Sequence, residues 1–504
     1  MKRPNIVVIM ADQLAPHWTG TYGHPVVKTP HMDALADRGM RFDAAYCNSP
    51  LCAPSRASFM TGQLVSRIGA FDNAAEFPAS MPTFAHYLQT LGYRTCLSGK
   101  MHFVGPDQKH GFQDRLTTDI YPADFAWTPH WENAGNRIDA WYHNRKTVKE
   151  SGQAVATFQT DYDDEVDYTT RRWLIDRGRD HAGGDDTPFC LVASFMHPHD
   201  PYVAKPEFWA LYEDAEIGLP STPDAMDPLA CRVRDGIEAT ETPLSDDQIR
   251  RARRAYFANT SYFDSKVGSV VQALEDIGEL DNTIIIVTAD HGDMLGERGL
   301  WYKMTMFEHS ARVPMIMAGP GVAQGTTDNA CSLVDLAPTF IDIAGADPAS
   351  CRPSLDGRSL IPLAKGEEAP EDEAIGEYCA EMTGYPVFMI RRGKLKYIWC
   401  ESDPPQLFDL EVDPFELENL AKEPAYAEAA ASFAAEVHSR WDPEKLRKNI
   451  IQSQQARFAV DKAMGHGAGQ HWDYNPPRDA SNEYVRNHIE WTEADKRQRF
   501  PPLA

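Results

Sequence analysis

Two polar pairs sit where apolar runs stop. Asp12 and Gln13 close the stretch that begins "NIVVIMA" (5–11), and Asp290 and His291 follow "TIIIVTA". Carboxylates set against buried strands are costly unless paired or bound to a cation. A divalent cation taking oxygens from Asp12, Gln13 and Asp290, with His291 alongside, removes that cost. Either pair alone reads better as the N-cap of a following helix; the two together favour a metal. Proton-transferring and cationic groups follow the same pattern. Lys100 and His102 in "SGKMHF" occupy alternating positions and so share a face. His197 and His199 in "HPHDP" end the run 188–196, and Lys303 in "WYKMTMFEHS" comes soon after the Asp-His pair. Together these would form an anion-binding, acid/base site.

"NSPLCAPSRASFMTG" (48–62) places Cys52 at the mouth of a helix, four residues before Arg56. Three readings compete: packing, a thiolate nucleophile, and a cysteine converted into something else. A thiolate nucleophile wants an adjacent histidine base, and a soft thiolate suits a hard, oxygen-ligated cation poorly. An oxygen function at position 52 suits it well, which points to conversion.

The scaffold that must hold these groups is an α/β fold. "NIVVIMA" reads as a strand buried on both faces. "TPHMDALADRGM" (29–40) reads as a helix opened by Thr-Pro and closed by Gly39, and "RFDAAYC" then alternates like a strand. Residues 81–100 repeat the theme, with a glycine stop at Gly92 between helix and strand. Apolar strands follow at 188–202 and 282–295, with helical stretches between, notably 245–277. Alternation of this kind predicts a large mixed, mostly parallel sheet flanked by helices, with the chemistry at the carboxyl ends of its strands. The texture changes after residue 345. A charged loop "GEEAPEDEA", a hairpin at 388–400 turning at Arg392-Gly393, and a helix near 425–441 predict a smaller C-terminal α+β domain. The expected division is a catalytic domain at 1–345, the smaller domain at 346–464, and an extended tail at 465–504. The tail keeps Trp472, Tyr474, Tyr484 and Trp491, too many aromatics for plain disorder. It is expected to dock on its own domain or a neighbouring subunit.

Bulk properties exclude several classes. At 504 residues the chain exceeds a single small core. Nine scattered cysteines without a CxxC pair argue against a zinc cluster and for a reducing compartment. The apolar run Ile6–Ala11 is too short for a secretory signal, and nothing approaches the roughly 20 apolar residues of a membrane span. A soluble, cytoplasmic protein is expected. A net charge of −25 argues against nucleic acid. An anionic substrate would be held by local cations against that global field.

The segment Cys52-Ala53-Pro54-Ser55-Arg56 resembles the signature of the sulfatase family, within the alkaline phosphatase superfamily, whose cysteine is oxidised to formylglycine. "ADQ", "SGKMHF", His199-Asp200-Pro201, "TADHGDMLGE" and "LFDLEVDPFELENLA" match in order, so the resemblance covers nearly the whole chain. It implies a formylglycine- and metal-dependent sulfate ester hydrolase. Cys52, as formylglycine hydrate, would be nucleophile and metal ligand, beside the ligands Asp12, Gln13, Asp290 and His291. Arg56 would hold the formylglycine and Lys100 the sulfate. His102 would be the base that collapses the hemiacetal, and His199 and Lys303 would act at the leaving oxygen. Many family members carry Asp at the place of Gln13 and Asn at that of His291. Calcium is the first expectation, with manganese or magnesium as alternatives. Within the family, "SPLCAPSRASFMTGQL", "DNAAEFP", "LTTDIYPADFAWTP" and "YVRNHIEW" look most like the members that act on choline sulfate. A trimethylammonium would then meet Trp127, with Glu381 and an acid of the tail nearby, and Asn73 would touch the sulfate ester. The implied partners are a small sulfate ester, a formylglycine-generating or other maturing enzyme, and further copies of the chain in a dimer or tetramer. Rival readings are a phosphonate monoester or phosphodiester hydrolase, another alkyl or aryl sulfatase, and a non-catalytic metal-binding relative with unmodified Cys52.

Overall fold

The computed structural model describes residues 3–133, 145–369, 371–466 and 490–499. Residues up to 468 form one compact unit, and 469–504 form a second. The strands of the main sheet are β1 (Asn5–Asp12), β2 (Met40–Phe42), β3 (Arg94–Gly99), β4 (Asp114–Arg115), β5 (Phe189–Pro198), β6 (Thr283–Ala289), β7 (Met315–Ala318) and β8 (Gly325–Thr327). They run in the order β8-β2-β7-β6-β1-β5-β3-β4. Every pairing is parallel except those of β7, which runs against both β6 and β2.

All eight residues of β1 are buried, as a parallel strand covered on both faces requires. Its ladder with β5 is regular from Ile6 to Met10 and then slips before Asp12. The two strands part there, and the gap between them is where polar groups can enter.

Three helices serve the site. α1 (Cys52–Thr61) is buried over its entire length and stops at Gly62, whose φ of 66° is the left-handed form glycine tolerates. α2 (Phe158–Ala182) and α3 (Asp246–Asp276) pack on β5. The capping box of Ser245 and Gln248 fixes the start of α3, matching the helix expected over 245–277. The single strand expected at 41–47 is instead two pieces. β2 ends at Phe42, and Ala45–Tyr46 joins a separate pair with Cys331–Ser332. Asp43 breaks the run: its amide bonds to Thr327 O and its carboxylate binds Arg41.

A second, four-stranded antiparallel sheet follows: β9 (Glu373–Tyr378), β10 (Val387–Arg392), β11 (Leu395–Cys400) and β12 (Asp403–Asp409). Arg392 pairs with Leu395, so the hairpin turns at Gly393-Lys394, one residue later than expected. Gly393 takes the positive φ, 55°, that such a tight turn needs. α4 (Ala427–Arg440) and α5 (Pro443–Met464) complete this part. Lys396 of β11, fully buried between Glu308 (2.9 Å) and Glu416 (2.8 Å), ties it to the main sheet's loops. Trp472, Tyr474 and Tyr484 lie outside the described residues. Trp491 opens a helix, Trp491–Gln498, and is exposed.

Candidate active site

The carboxyl ends of β1, β3, β5 and β6, with the start of α1, converge on one buried cluster. One ligand atom each from Asp12, Cys52, Asp290 and His291 lies within 4.8 Å of the others. Neither aspartate caps a helix. Asp290 Oδ1 accepts from the backbone N–H of Gln13 (3.0 Å) and of His291 (2.9 Å), which locks the two strand ends together.

Arg56 enters from α1, one turn beyond Cys52, with no exposed surface. Its Nε bonds Asp290 Oδ2 (2.8 Å) and its Nη2 bonds Asp12 Oδ2 (3.1 Å). Its Nη1 bonds Lys100 O (2.6 Å) and Ser194 Oγ (2.8 Å). One side chain therefore ties β5 and the ends of β1, β3 and β6 to the helix that starts at Cys52. Lys100 also pairs with Asp12 Oδ2. Burial alone would raise the Asp12 carboxyl, but Lys100, His199 and Arg56 hold it well below the usual carboxylate range.

The donor set fits a divalent cation. His291 Nδ1 lies 3.0 Å from Gly292 O, so it carries the proton and leaves the Nε2 lone pair facing the cluster. That Nε2 is 4.0 Å from Asp12 Oδ1 and 3.7 Å from Asp290 Oδ2. These gaps are too long for hydrogen bonds and match ligands roughly 3–4 Å apart around an ion held at ~2.4 Å. Burial lowers His291 to about 4, so the ring is neutral, as a ligand must be. The Gln13 amide oxygen accepts from Lys303 Nζ at 2.6 Å, and its amide donates to Asp293 Oδ2 at 2.8 Å.

Cys52 Sγ is 3.3 Å from His291 Nε2 and 3.9 Å from Asp12 Oδ1. Burial and then Asp12 push its thiol up to about 11. A thiol so far from ionisation is a poor nucleophile. Packing alone does not explain a cysteine set among Asp12, Asp290 and His291 either.

Proton-transfer groups stand around this centre. Lys303 Nζ lies 3.2 Å from His199 Nε2, and His199 Nδ1 is 2.7 Å from Asp200 O. The imidazole is therefore a neutral acceptor toward Lys303, and burial and the Lys303 charge keep it so. His197, by contrast, bonds Asp163 (2.6 Å) and serves the packing of β5 on α2. His102 is 2% exposed, and neither ring nitrogen has a hydrogen-bond partner among the described residues. Burial and then Lys100 lower it to about 3, leaving a neutral base.

Lys100 and His102 do not share a strand face. β3 ends at Gly99, and the chain turns because Asp119 Oδ2 accepts the amides of Met101 (2.9 Å) and His102 (2.8 Å). His102 consequently takes a φ of 52°. The two side chains meet on Tyr121 instead. Lys100 Nζ stands 3.9 Å from its ring centroid, His102 stacks on it at 4.8 Å, and its hydroxyl is 3.3 Å from His199 Nε2. Tyr121, Asp119 and Ser194 were not legible as site residues: a tyrosine and an aspartate in an aperiodic loop, and a serine inside an apolar strand, carry no period.

Residues 4–346 match the family model described as sulfatase. The chain belongs to the sulfatase family. It is 47% identical to the choline-sulfatase of Rhizobium meliloti (strain 1021), with 99% of each chain covered. It is 28% identical to arylsulfatase K of Danio rerio, covering 97% of this chain and 94% of that one. Residues 448–500 match a model described as choline sulfatase enzyme C terminal, and 296–442 one described as N-sulphoglucosamine sulphohydrolase, C-terminal. The fold is shared with the phosphonate monoester hydrolase of Agrobacterium radiobacter (TM-score 0.68, 24% identity, 89% of this chain and 96% of that one). It is also shared with a protein solved in complex with its substrate D-glucosamine-2-N,6-O-disulfate (TM-score 0.69, 23% identity, 89% and 99%).

Three more residues of this sulfatase were expected at the substrate. Trp127 is half-buried, with its ring 5.6 Å from Tyr121 and 6.1 Å from His102, edge to face. It is therefore part of the aromatic wall beside Lys100. Asn73 Oδ1 accepts the Ala53 amide at 3.0 Å, one of the open donors at the start of α1. Glu381 is 6% exposed and follows Ala380, whose carbonyl accepts from Trp131 Nε1 at 2.8 Å. Among the described residues no helix is long and apolar enough to cross a membrane.

Proposed function

We propose that this sulfatase hydrolyses choline sulfate to choline and sulfate. The observation that carries the reading is the 47% identity to a choline-sulfatase over 99% of both chains. Asp12, Asp290, His291 and Gln13 would hold a divalent cation, calcium first and manganese or magnesium next, which when bound supplies Lewis acidity at position 52 and at the ester. Formylglycine, made from Cys52 by a maturing enzyme, would supply a hydrated aldehyde: one hydroxyl to attack sulfur and one to be deprotonated on release.

The chain's own residues do the rest. Arg56 fixes the start of α1 and balances both aspartates. Lys100, shielded by Tyr121, offers its charge to the sulfate. His102, neutral and with no hydrogen-bond partner for its ring nitrogens among the described residues, takes the proton that releases sulfate. Lys303 and His199 share a proton at the leaving oxygen, where an alkyl alcohol needs it most. Trp127 provides a π face for the trimethylammonium, and Glu381 a carboxylate. Asn73, whose oxygen accepts the Ala53 amide, would meet the ester. None of the nine cysteines is in a disulfide, which supports a reducing compartment such as the cytoplasm, and we expect a dimer or tetramer.

The test compares kcat/KM for choline sulfate, 4-nitrophenyl sulfate and a phosphonate monoester, with peptide mass spectrometry of position 52. Choline sulfate should be the fastest of the three, with an aldehyde or its hydrate at residue 52. A phosphonate preference would move the sulfatase to the rival chemistry. An intact thiol with no turnover would make it a non-catalytic relative.

A further inference from the structure

The residues proposed to meet the substrate, Asn73 at the ester and Trp127 and Glu381 at the alcohol, come from three separate segments. None of them is a strand end of the main sheet. α5 touches all three. Arg457, 5% exposed, binds Asp72 through both guanidinium nitrogens, at 2.7 and 2.8 Å. Its Nη1 also donates to Thr128 Oγ1 at 3.1 Å. Asp72 is fully buried and immediately precedes Asn73; Thr128 immediately follows Trp127. One turn away, Gln454 Oε1 accepts the Trp131 amide at 3.0 Å. The same Trp131 donates its indole N–H to Ala380 O, next to Glu381. Phe458 stacks on His130 at 4.2 Å, and Arg447 donates to Gly384 O at 2.8 Å. Positions 447, 454, 457 and 458 fall on one face of a helix.

We propose that α5 is a clamp that sets substrate specificity, with Arg457 as its central positioning residue. Arg457 touches neither the reaction centre nor, in this reading, the substrate. It acts through Asp72 on Asn73 and through Thr128 on Trp127, while Gln454 and Trp131 carry the same restraint to Glu381. A bidentate guanidinium–carboxylate pair fixes both distance and angle, which loops on different elements cannot do for themselves. Gln454 and Arg457 also lie within the stretch matched by the choline sulfatase C-terminal model. The proposal rests on the assignment of Asn73 to the ester and of Trp127 and Glu381 to the substrate's alcohol end.

The test uses the full chain. Arg457→Lys keeps the charge and loses the fork. The double variant Asp72→Asn with Arg457→Gln removes the pair without stranding a buried charge. Gln454→Leu loosens the second tie. For each, kcat/KM is measured with choline sulfate and with 4-nitrophenyl sulfate, and the ratio is compared with wild type; melting temperature is followed in parallel. The ratio should fall roughly tenfold or more, mainly through KM for choline sulfate, because misplacing a positioning group by about 1 Å costs up to ~10²-fold. Trp127→Ala added to the Arg457→Lys background should lower the ratio less than it does in wild type, since both act on one contact. An unchanged ratio in the folded variants, or full additivity with Trp127→Ala, overturns the clamp. The wild-type ratio by itself reads the choline assignment. If wild type prefers another alkyl sulfate, the same comparison is run with that ester, and the clamp stands or falls on it.

Discussion

The two ends of the substrate site are built in opposite ways. At the proposed sulfate end most groups leave strand ends of the main sheet or the first turns of α1, and the buried Arg56 bonds Asp12, Asp290, Lys100 and Ser194 into one network. Asn73, proposed to meet the ester, and Trp127 and Glu381, proposed for the alcohol end, sit on loops. Their neighbours Asp72, Thr128 and Trp131 are bonded by Arg457 and Gln454 of α5, the proposed clamp. The first arrangement fixes chemistry that any sulfate ester needs. The second could be rebuilt without disturbing it, as sites grafted on one fold allow. The difference makes a general prediction: damage at the sulfate end should strike all esters alike, and damage at the alcohol end should discriminate among them.

The largest effect belongs to position 52. Cys52→Ala removes the cysteine from which the proposed nucleophile would be made, and turnover of choline sulfate and 4-nitrophenyl sulfate should fall together, on the order of 10⁴-fold or more. Initial rates with both esters decide it; a variant that spares either one breaks the comparison at its root. Asp12→Asn and Asp290→Asn come next. Each keeps an oxygen for Arg56 and deletes a charged ligand. Metal analysis should show the loss of one ion per chain, with activity on both esters lower by roughly 10²-fold or more. Full metal occupancy in both variants would show that the cluster is not the metal site.

Lys303 tests the boundary between the two ends. It sits beside the proposed sulfate end but is proposed to serve the departing alcohol, and alkyl alcohols leave poorly. Lys303→Met should cost choline sulfate roughly 10²–10⁴-fold, and 4-nitrophenyl sulfate much less, because nitrophenolate leaves without a proton. Equal losses would mean that Lys303 acts through Gln13, whose amide oxygen it binds, and not on the leaving group.

Legibility in the sequence followed the same divide. The α/β sheet, the strands ending at Asp12 and Ala289, and the helix at 245–277 were readable because burial on both faces and helical spacing leave periods. Asp12, Asp290, His291, Lys100, His199 and Lys303 were readable because they interrupt or follow such periods. The turn at Asp119 that brings Lys100 and His102 onto Tyr121 was not, since a carboxylate accepting four loop amides leaves no pattern. Nor was the pairing of Asp72 with Arg457: each is an ordinary charged residue in its own segment, and only the packing of α5 makes them partners.

The smallest predicted effect is the one that discriminates most. Trp127 stands at the edge of the Tyr121–His102 stack, beside the cation that is proposed to meet the sulfate. A desolvated cation–π contact contributes on the order of 2 kcal/mol, which is roughly 30-fold in affinity. Trp127→Ala should therefore lower kcat/KM for choline sulfate by about that factor, and mainly through KM, because the ammonium is bound equally in ground and transition states. For 4-nitrophenyl sulfate, which has no cation to lose, the change should be several-fold smaller. Trp127→Phe should recover part of the loss, since a smaller ring still offers a π face. A neutral analogue with the ammonium nitrogen replaced by carbon separates charge from shape: wild type should discriminate against it, and Trp127→Ala should not. If Trp127→Ala depresses both esters equally, the ring is holding His102 and Tyr121 in place, and the specificity of the alcohol end must then reside in Glu381.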